Sequence, residues 1–227
     1  APLGSGPSPS VPAQVGGLTQ VTAIAAGYSH SLALKADGTV WVWGPTPVQA
    51  GGLTNVLAIT AGYNQSLAVK GDGTVWEWGC STVGQSTYAC REPPAQVAWL
   101  AGVERVALPM GGYHGLALKG DGTAWEWGGF QGGPATLARS VPSQLGELSG
   151  VVAVSGGLAL KSDGTVWGWD APFTRGWVGR SIPSQVIGLS GVTAIASGTT
   201  GYNLALKNDG TVWNASGPWV LYKVPHL

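Results

Sequence analysis

Glu77, Glu126 and Asp170 are the residues of this 227-residue chain that type and spacing best suit to acid–base chemistry. Each breaks a repeated pattern at or just after a Trp-x-Trp run. Glu77 and Glu126 stand between the two Trp, where other copies carry Val42 and Gly168, and Asp170 follows its pair. Two carboxylates on neighbouring units could serve as acid and base if their pKa values were split. The competing reading is a solvated outer face, the ordinary place for Glu. No nucleophile elbow or phosphate-binding loop accompanies them. His30, His114 and His226 show no ligand spacing, and two cysteines alone make no zinc site, so neither metal nor cofactor is expected. The balance leans against an enzyme.

Residues suited to contact are more abundant. Tyr28, His30, Tyr63, Gln65, Tyr113, His114 and Tyr202 fall in short stretches just before a recurring Leu-Ala-Leu-Lys or a close variant of it. Tyr and His on loops offer contact area at low entropic cost. A second group lies in longer connections: Phe130, Phe173 and Trp177, with Arg91, Arg139, Arg175 and Arg180. Aromatic residues with Arg are an interface composition, although solvated connections would read similarly. Cys80 and Cys90 occupy one connection and are read as a loop-stapling disulfide, with two free thiols as the alternative. A disulfide implies an oxidising compartment, and a start at Ala1 would suit a mature secreted chain.

The elements that hold these residues come from a repeat. Asp-Gly-Thr begins at Asp37, Asp72, Asp121, Asp163 and Asp209, at spacings of 35, 49, 42 and 46 residues. In each copy an apolar run precedes it and Thr-Val-Trp or a close variant follows. The Asp-Gly predicts a tight hairpin, since it supplies the positive φ such turns need. Alternation puts Trp41 and Trp43 on one strand face and Val40 and Val42 on the other. A run such as Val21 to Ala25 gives a third strand. Pro-led segments at Pro12, Pro47, Pro94, Pro142 and Pro183 give a short outer fourth, where a missing amide donor is tolerated. The Trp pairs recur in nearly every unit, which favours blade-to-blade packing. The five Lys two residues before each turn Asp read as turn solvation.

Four short strands per unit at this period mark a β-propeller. The reading is an all-β single domain, 1–227, of five four-stranded blades, with units of approximately 12–44, 47–79, 94–128, 142–170 and 183–217. The alternative is part of a larger ring of up to seven blades. Ser8 to Val15 and Leu221 to Leu227 both read as outer strands, so one terminal strand could complete the blade at the other end, leaving one over.

The wording V-x-x-I-A-x-G, then H-S-L-A-L-K, then D-G-x-V-W-x-W-G resembles the regulator of chromosome condensation repeat. The match is closest at Gly27 to Gly44 and Gly62 to Gly79. The resemblance implies a propeller, usually of seven blades. It also implies, from bacterial members that inhibit β-lactamases, a role in binding protein partners through aromatic loops on one face.

Composition narrows the partner. Eleven basic and eleven acidic residues give zero formal charge, so no nucleic acid and no anionic membrane is expected as partner. Charged residues are only 10% against 44% apolar, which describes a folded chain rather than disorder. The expected function is that of a secreted or extracytoplasmic module that binds another protein. The runner-up is a small-molecule pocket at the channel mouth, as in a glycan-binding module or an enzyme using Glu77, Glu126 and Asp170.

Overall fold

A computed structural model describes residues 14–28, 30–43, 46–83, 87–108, 114–128, 139–146, 148–168, 183–197, 203–216 and 220–223. It contains five separate four-stranded antiparallel sheets, each a meander of sequence-adjacent strands. The first blade is β1 (Val21–Ala26), β2 (Ser31–Lys35), β3 (Val40–Trp43) and β4 (Pro47–Gln49). The second is β5 (Val56–Ala61), β6 (Gln65–Lys70), β7 (Val75–Val83) and β8 (Thr87–Gln96). The third is β9 (Val103–Ala107), β10 (His114–Lys119), β11 (Ala124–Gly128) and β12 (Arg139–Gln144). The fourth is β13 (Val151–Ser155), β14 (Leu158–Lys161), β15 (Val166–Gly168) and β16 (Ser184–Gln185). The fifth is β17 (Val192–Ser197), β18 (Asn203–Lys207), β19 (Val212–Ser216) and β20 (Val220–Lys223). This is the expected all-β propeller of five blades.

The Asp-Gly turn is a three-residue loop. In the first blade the Lys35 amide donates to Thr39 O, the Gly38 amide donates to Lys35 O, and Gly38 sits at φ 76°. That is a turn closed by a glycine bulge, and a Cβ there would resist the left-handed conformation. The Thr39 amide and hydroxyl both donate to Asp37 Oδ1, and all five copies repeat this clasp. The Thr hydroxyl, then its amide, hold the carboxyls of Asp37, Asp72, Asp121 and Asp163 below the ordinary value. Each Lys of the five lies over the first Trp of its blade, 4.9 to 5.8 Å from the ring centroid. The lysines therefore cover the Trp faces as well as solvating the turn.

The segments led by Pro47, Pro94, Pro142 and Pro183 each belong to the blade before them. Pro47–Gln49 pairs with Trp41–Trp43, Val42 facing Val48, and so completes the first blade rather than opening the second. β20 completes the fifth blade in the same way, as expected for the Leu221 region. Gln14 and Val15 are not in a strand, and residues 8–13 lie outside the described residues. Every blade is thus made from contiguous chain, with no exchange of a terminal strand among the described residues.

The core sits between blades, in four clusters. Alternation along β6 turns Leu67 and Val69 toward the third blade, where they meet Ala117 and Trp127. Ala68 and Trp78, on the opposite face, meet Leu32 and Leu34 of the first blade. An inner blade therefore carries half of each of two cores, and Trp78 and Trp127, each the second Trp of its pair, enter the seams. Backbone bonds reinforce the seam: the Val56, Val103, Val151 and Val192 amides donate to Gly38, Gly73, Gly122 and Gly164 O of the preceding blade.

Candidate functional site

In a four-stranded meander, the turn between the first two strands and the turn between the last two lie at the same end of the sheet. The short stretches before Leu-Ala-Leu-Lys and the long connections after Trp-x-Trp therefore share one end of every blade. The expected separation into channel-side turns and inter-blade loops is corrected: the long connections join the third and fourth strands within a blade. The stretch after Gly79 is largely an extension of the β7–β8 hairpin, in which Cys80 directly faces Cys90 in the backbone register. A strand-to-strand pair of this kind arises because both segments keep pairing beyond the Trp run.

Tyr28 and Tyr63 come together at this end. Their rings stack with centroids 4.2 Å apart and planes 19° apart, yet they are 66% and 38% exposed. The Tyr28 amide donates to Gly62 O, which fixes the first turn against the second. Gly27 makes that approach possible: a Cβ there would lie 2.5 Å from Gly62 O. His30 Nε2 is hydrogen-bonded to Ser66 Oγ at 2.8 Å across the same seam, and burial pushes the His30 pKa below its ordinary value. His30 is thus a neutral seam residue as much as a surface one.

Gln65 and Glu77 turn inward, contrary to their reading as a loop contact and a solvated carboxylate. Gln65 is 5% exposed, and its Nε2 donates to Glu77 Oε1 at 2.9 Å. Glu77 Oε2 accepts from Trp127 Nε1 of the third blade at 3.2 Å. The cause is register: Glu77 lies opposite Leu67, on the strand face that packs on the next blade. Glu77 is therefore a bridge between blades. Glu126 holds the same place opposite Leu116 and is half-buried.

The inner strands of all five blades contribute to a cavity of about 280 Å³ at this end. Its wall is mostly small: Ala26, Ala61 and Ala107, with hydroxyls from Thr60, Ser155 and Ser197. In the fourth blade Gly156 replaces the aromatic turn. A Cβ on Gly156 would come within 2.5 Å of the Ser197 side chain, whose Oγ donates to Ser155 O at 2.8 Å. The aromatic surface is therefore uneven around the mouth. Tyr113, Phe130, Asp170, Phe173, Arg175, Trp177, Arg180 and Tyr202 lie outside the described residues, as do the side chains of His114, Cys80, Cys90, Arg91 and Arg139.

Trp99 stands outside the repeated Trp strand in the sequence but was not among the contact residues read from it. It lies at the opposite end, in the turn from β8 to β9, at φ 66° and 82% exposed. Equivalent positions carry Gly17, Gly52 and Gly188, all at positive φ. The signal was present: a Trp stood where three of the four aligned units have Gly.

Five meandering sheets with inter-blade cores define a β-propeller of repeated units. Residues 21–44 match the family model described as the Regulator of chromosome condensation (RCC1) repeat. Human WBSCR16 is similar in structure, with a TM-score of 0.69 and 21% identity over 90% of this chain and 66% of that chain. Prp20p from Saccharomyces cerevisiae gives 0.69 and 19% over 91% and 63%. The crystal structure of Kap60 bound to yeast RCC1 (Prp20) gives 0.66 and 20% over 86% and 55%. The chain thus spans less than two thirds of the length of these solved chains. No curated protein sequence matches it.

Proposed function

We propose that this propeller is a binding module that recognises a partner protein through the end of the ring bearing Tyr28 and Tyr63. The observation that carries the reading is the exposed Tyr28–Tyr63 stack, braced by the Tyr28 amide on Gly62 O. Two aromatic rings ordered before a partner arrives lose little entropy on binding, which is the character of an interface anchor. The aromatic and Arg-bearing connections enter at the same end, adding Phe130, Phe173, Trp177, Arg175 and Arg180 to the proposed surface. Precedent for protein recognition on this fold comes from yeast Prp20, seen bound to Kap60 and studied for binding to Gsp1p and histones.

The location proposed is extracytoplasmic. It rests on Cys80 facing Cys90, the register at which a cross-strand disulfide closes, and on the few charged residues. A second reading, a small-molecule site, is favoured by the cavity at the channel mouth with its Thr60, Ser155 and Ser197 hydroxyls.

Affinity capture from the secretome of the source organism tests both, with proteins and small molecules identified together. A protein retained by the unaltered chain and lost by a Tyr28→Ala/Tyr63→Ala variant supports the aromatic face. Equal capture by the two overturns it. A small molecule that co-purifies and is displaced by a cavity-filling Ser197→Phe change supports the pocket.

A further inference from the structure

One position on the inner strands breaks a pattern that four of the five blades keep. Opposite Leu34, Val69, Leu160 and Leu206 the inner strands carry Ala23, Ala58, Ala153 and Ala194, but opposite Leu118 stands Arg105. Ala23, Ala58 and Ala153 pack into the seams with the next blade. Ala194 is exposed together with Leu204 and Leu206, each 40% exposed, because no described blade follows the fifth. Arg105 does have a blade after it, yet it is exposed all the same. β9 bonds to β10 along its outer edge and packs on the inner strands of the second and fourth blades. The side left open is its inner edge, so the guanidinium reaches water through the channel. Among the described residues Arg105 has neither an ion-pair nor a hydrogen-bond partner.

The cavity at the channel mouth begins one residue further along the same strand. Val106, Ala107 and Leu108 line it, and a strand advances about 3.3 Å per residue, so Arg105 stands at its floor. The wall supplies donors but no carboxylate. Ser155 Oγ accepts the Ser197 amide at 3.0 Å, which leaves the Ser155 hydroxyl hydrogen for a ligand, and the Thr60 hydroxyl lines the same wall. The Gly27 and Gly62 amides donate to His30 O and Gln65 O. Antiparallel alternation therefore turns the amides of Ala26 and Ala61 away from the second strand and toward the cavity they line. Glu104, the neighbouring carboxylate, is directed elsewhere: its Oε1 lies 2.8 Å from the Cβ position of Gly120, in the turn at the opposite end of the blade.

We propose that this cavity binds a small organic monocarboxylate, its carboxylate on Arg105 at the floor and its apolar body against Ala61, Ala107 and Leu108. The inference rests on the small-molecule reading of the cavity and names the ligand class. A guanidinium fork matches the two oxygens of a carboxylate and stays charged at any ordinary pH. One cation, with no second Lys or Arg in the lining, balances one negative charge and so disfavours a phosphate dianion. A cavity of about 280 Å³, at about 30 Å³ per water, holds a ligand of about nine non-hydrogen atoms.

The probes are benzoate, its neutral isostere benzamide and the dianion butyl phosphate, titrated into the full chain by calorimetry. Arg105→Ala restores the residue that the other four blades carry, so the fold is retained, and a thermal melt checks this. Expected is saturable binding of benzoate at one site, on the order of 10- to 100-fold tighter than benzamide or butyl phosphate. Arg105→Ala should erase that margin and leave benzamide unchanged, whereas the cavity-filling Ser197→Phe should weaken both. Equal affinity for benzoate and benzamide, both lost in Ser197→Phe, overturns the monocarboxylate inference while the small-molecule reading stands. Benzoate binding that is indifferent to Ser197→Phe, or tighter binding of butyl phosphate, overturns it as well. If neither benzoate nor benzamide binds at millimolar concentration the inference falls, and affinity capture alone then decides the small-molecule reading.

Discussion

A single acceptor oxygen separates two otherwise matching tryptophans. Trp127 Nε1 donates to Glu77, but Trp78 Nε1 is buried without a partner, because the residue at the corresponding place in the preceding blade is Val42. A buried donor left unpaired costs about 1–3 kcal/mol. Val42→Gln should therefore raise stability in urea unfolding by about 1 kcal/mol, whereas Glu77→Val should lower it. Trp99 offers the reverse case, a side chain held where Gly is preferred. Trp99→Gly should stabilise by about 1 kcal/mol by relieving the left-handed backbone, and loss of partner capture in that variant would mark Trp99 as a second contact. His30 gives the pH dependence. Its folded pKa lies below the unfolded value of 6.5, so the unfolded chain binds the proton more readily. Its contribution is whole above pH 6.5 and is lost as pH falls through the folded pKa. Thermal melts across this range should show that loss, and His30→Gln should remove it, leaving the decline below 3.8 that comes from Asp37, Asp72, Asp121 and Asp163.

At the scale of elements, the turn glycines report which seams are closed. Gly73→Ala should destabilise more than Gly210→Ala. Both residues sit near φ 75–80°, but only at Gly73 would the Cβ meet the next blade, 2.9 Å from Gly102 N. Chemical denaturation of the two variants gives the comparison directly. The hairpins around these turns were legible because period-two alternation and Asp-Gly are local signals. Ownership of the outer strand was not legible: Pro47–Gln49 has the same composition whether it opens one blade or closes another, and only its pairing with Trp41–Trp43 decides. The β7–β8 extension was hidden for a similar reason, since Cys-Ser-Thr-Val lacks the alternation that marks a half-buried strand. Of the site, the aromatic turn was visible in Tyr28 and Tyr63, but their stacking depends on how adjacent blades meet. The inward turn of Gln65 and Glu77 was within reach of the alternation that placed Leu67, yet the partner Trp127 lies 50 residues from Glu77.

For the whole molecule, stability is a chain of seams rather than one central core. Leu67→Ala should cost about 2–5 kcal/mol, as for other buried leucines, while Leu204→Ala should cost less than about 1 kcal/mol. Equilibrium unfolding of the two variants distinguishes a closed ring, where the values would converge, from an open arc. The propeller also explains why most sequence motifs are silent about function. The turn Asp, the Lys over Trp and the Leu-Ala-Leu-Lys strands build blades, and the stretches that differ between them are the ones proposed for recognition.

The Lys–Asp turns bear on how such a molecule can lengthen. Lys35, Lys161 and Lys207 lie 3.7 to 3.9 Å from the carboxylate two residues on, so the turn of each of these units closes its own charge balance. Duplicating a unit of this design adds a seam of apolar burial but no net field. A ring of these blades can therefore grow or shrink without like-charge repulsion building up along its rim.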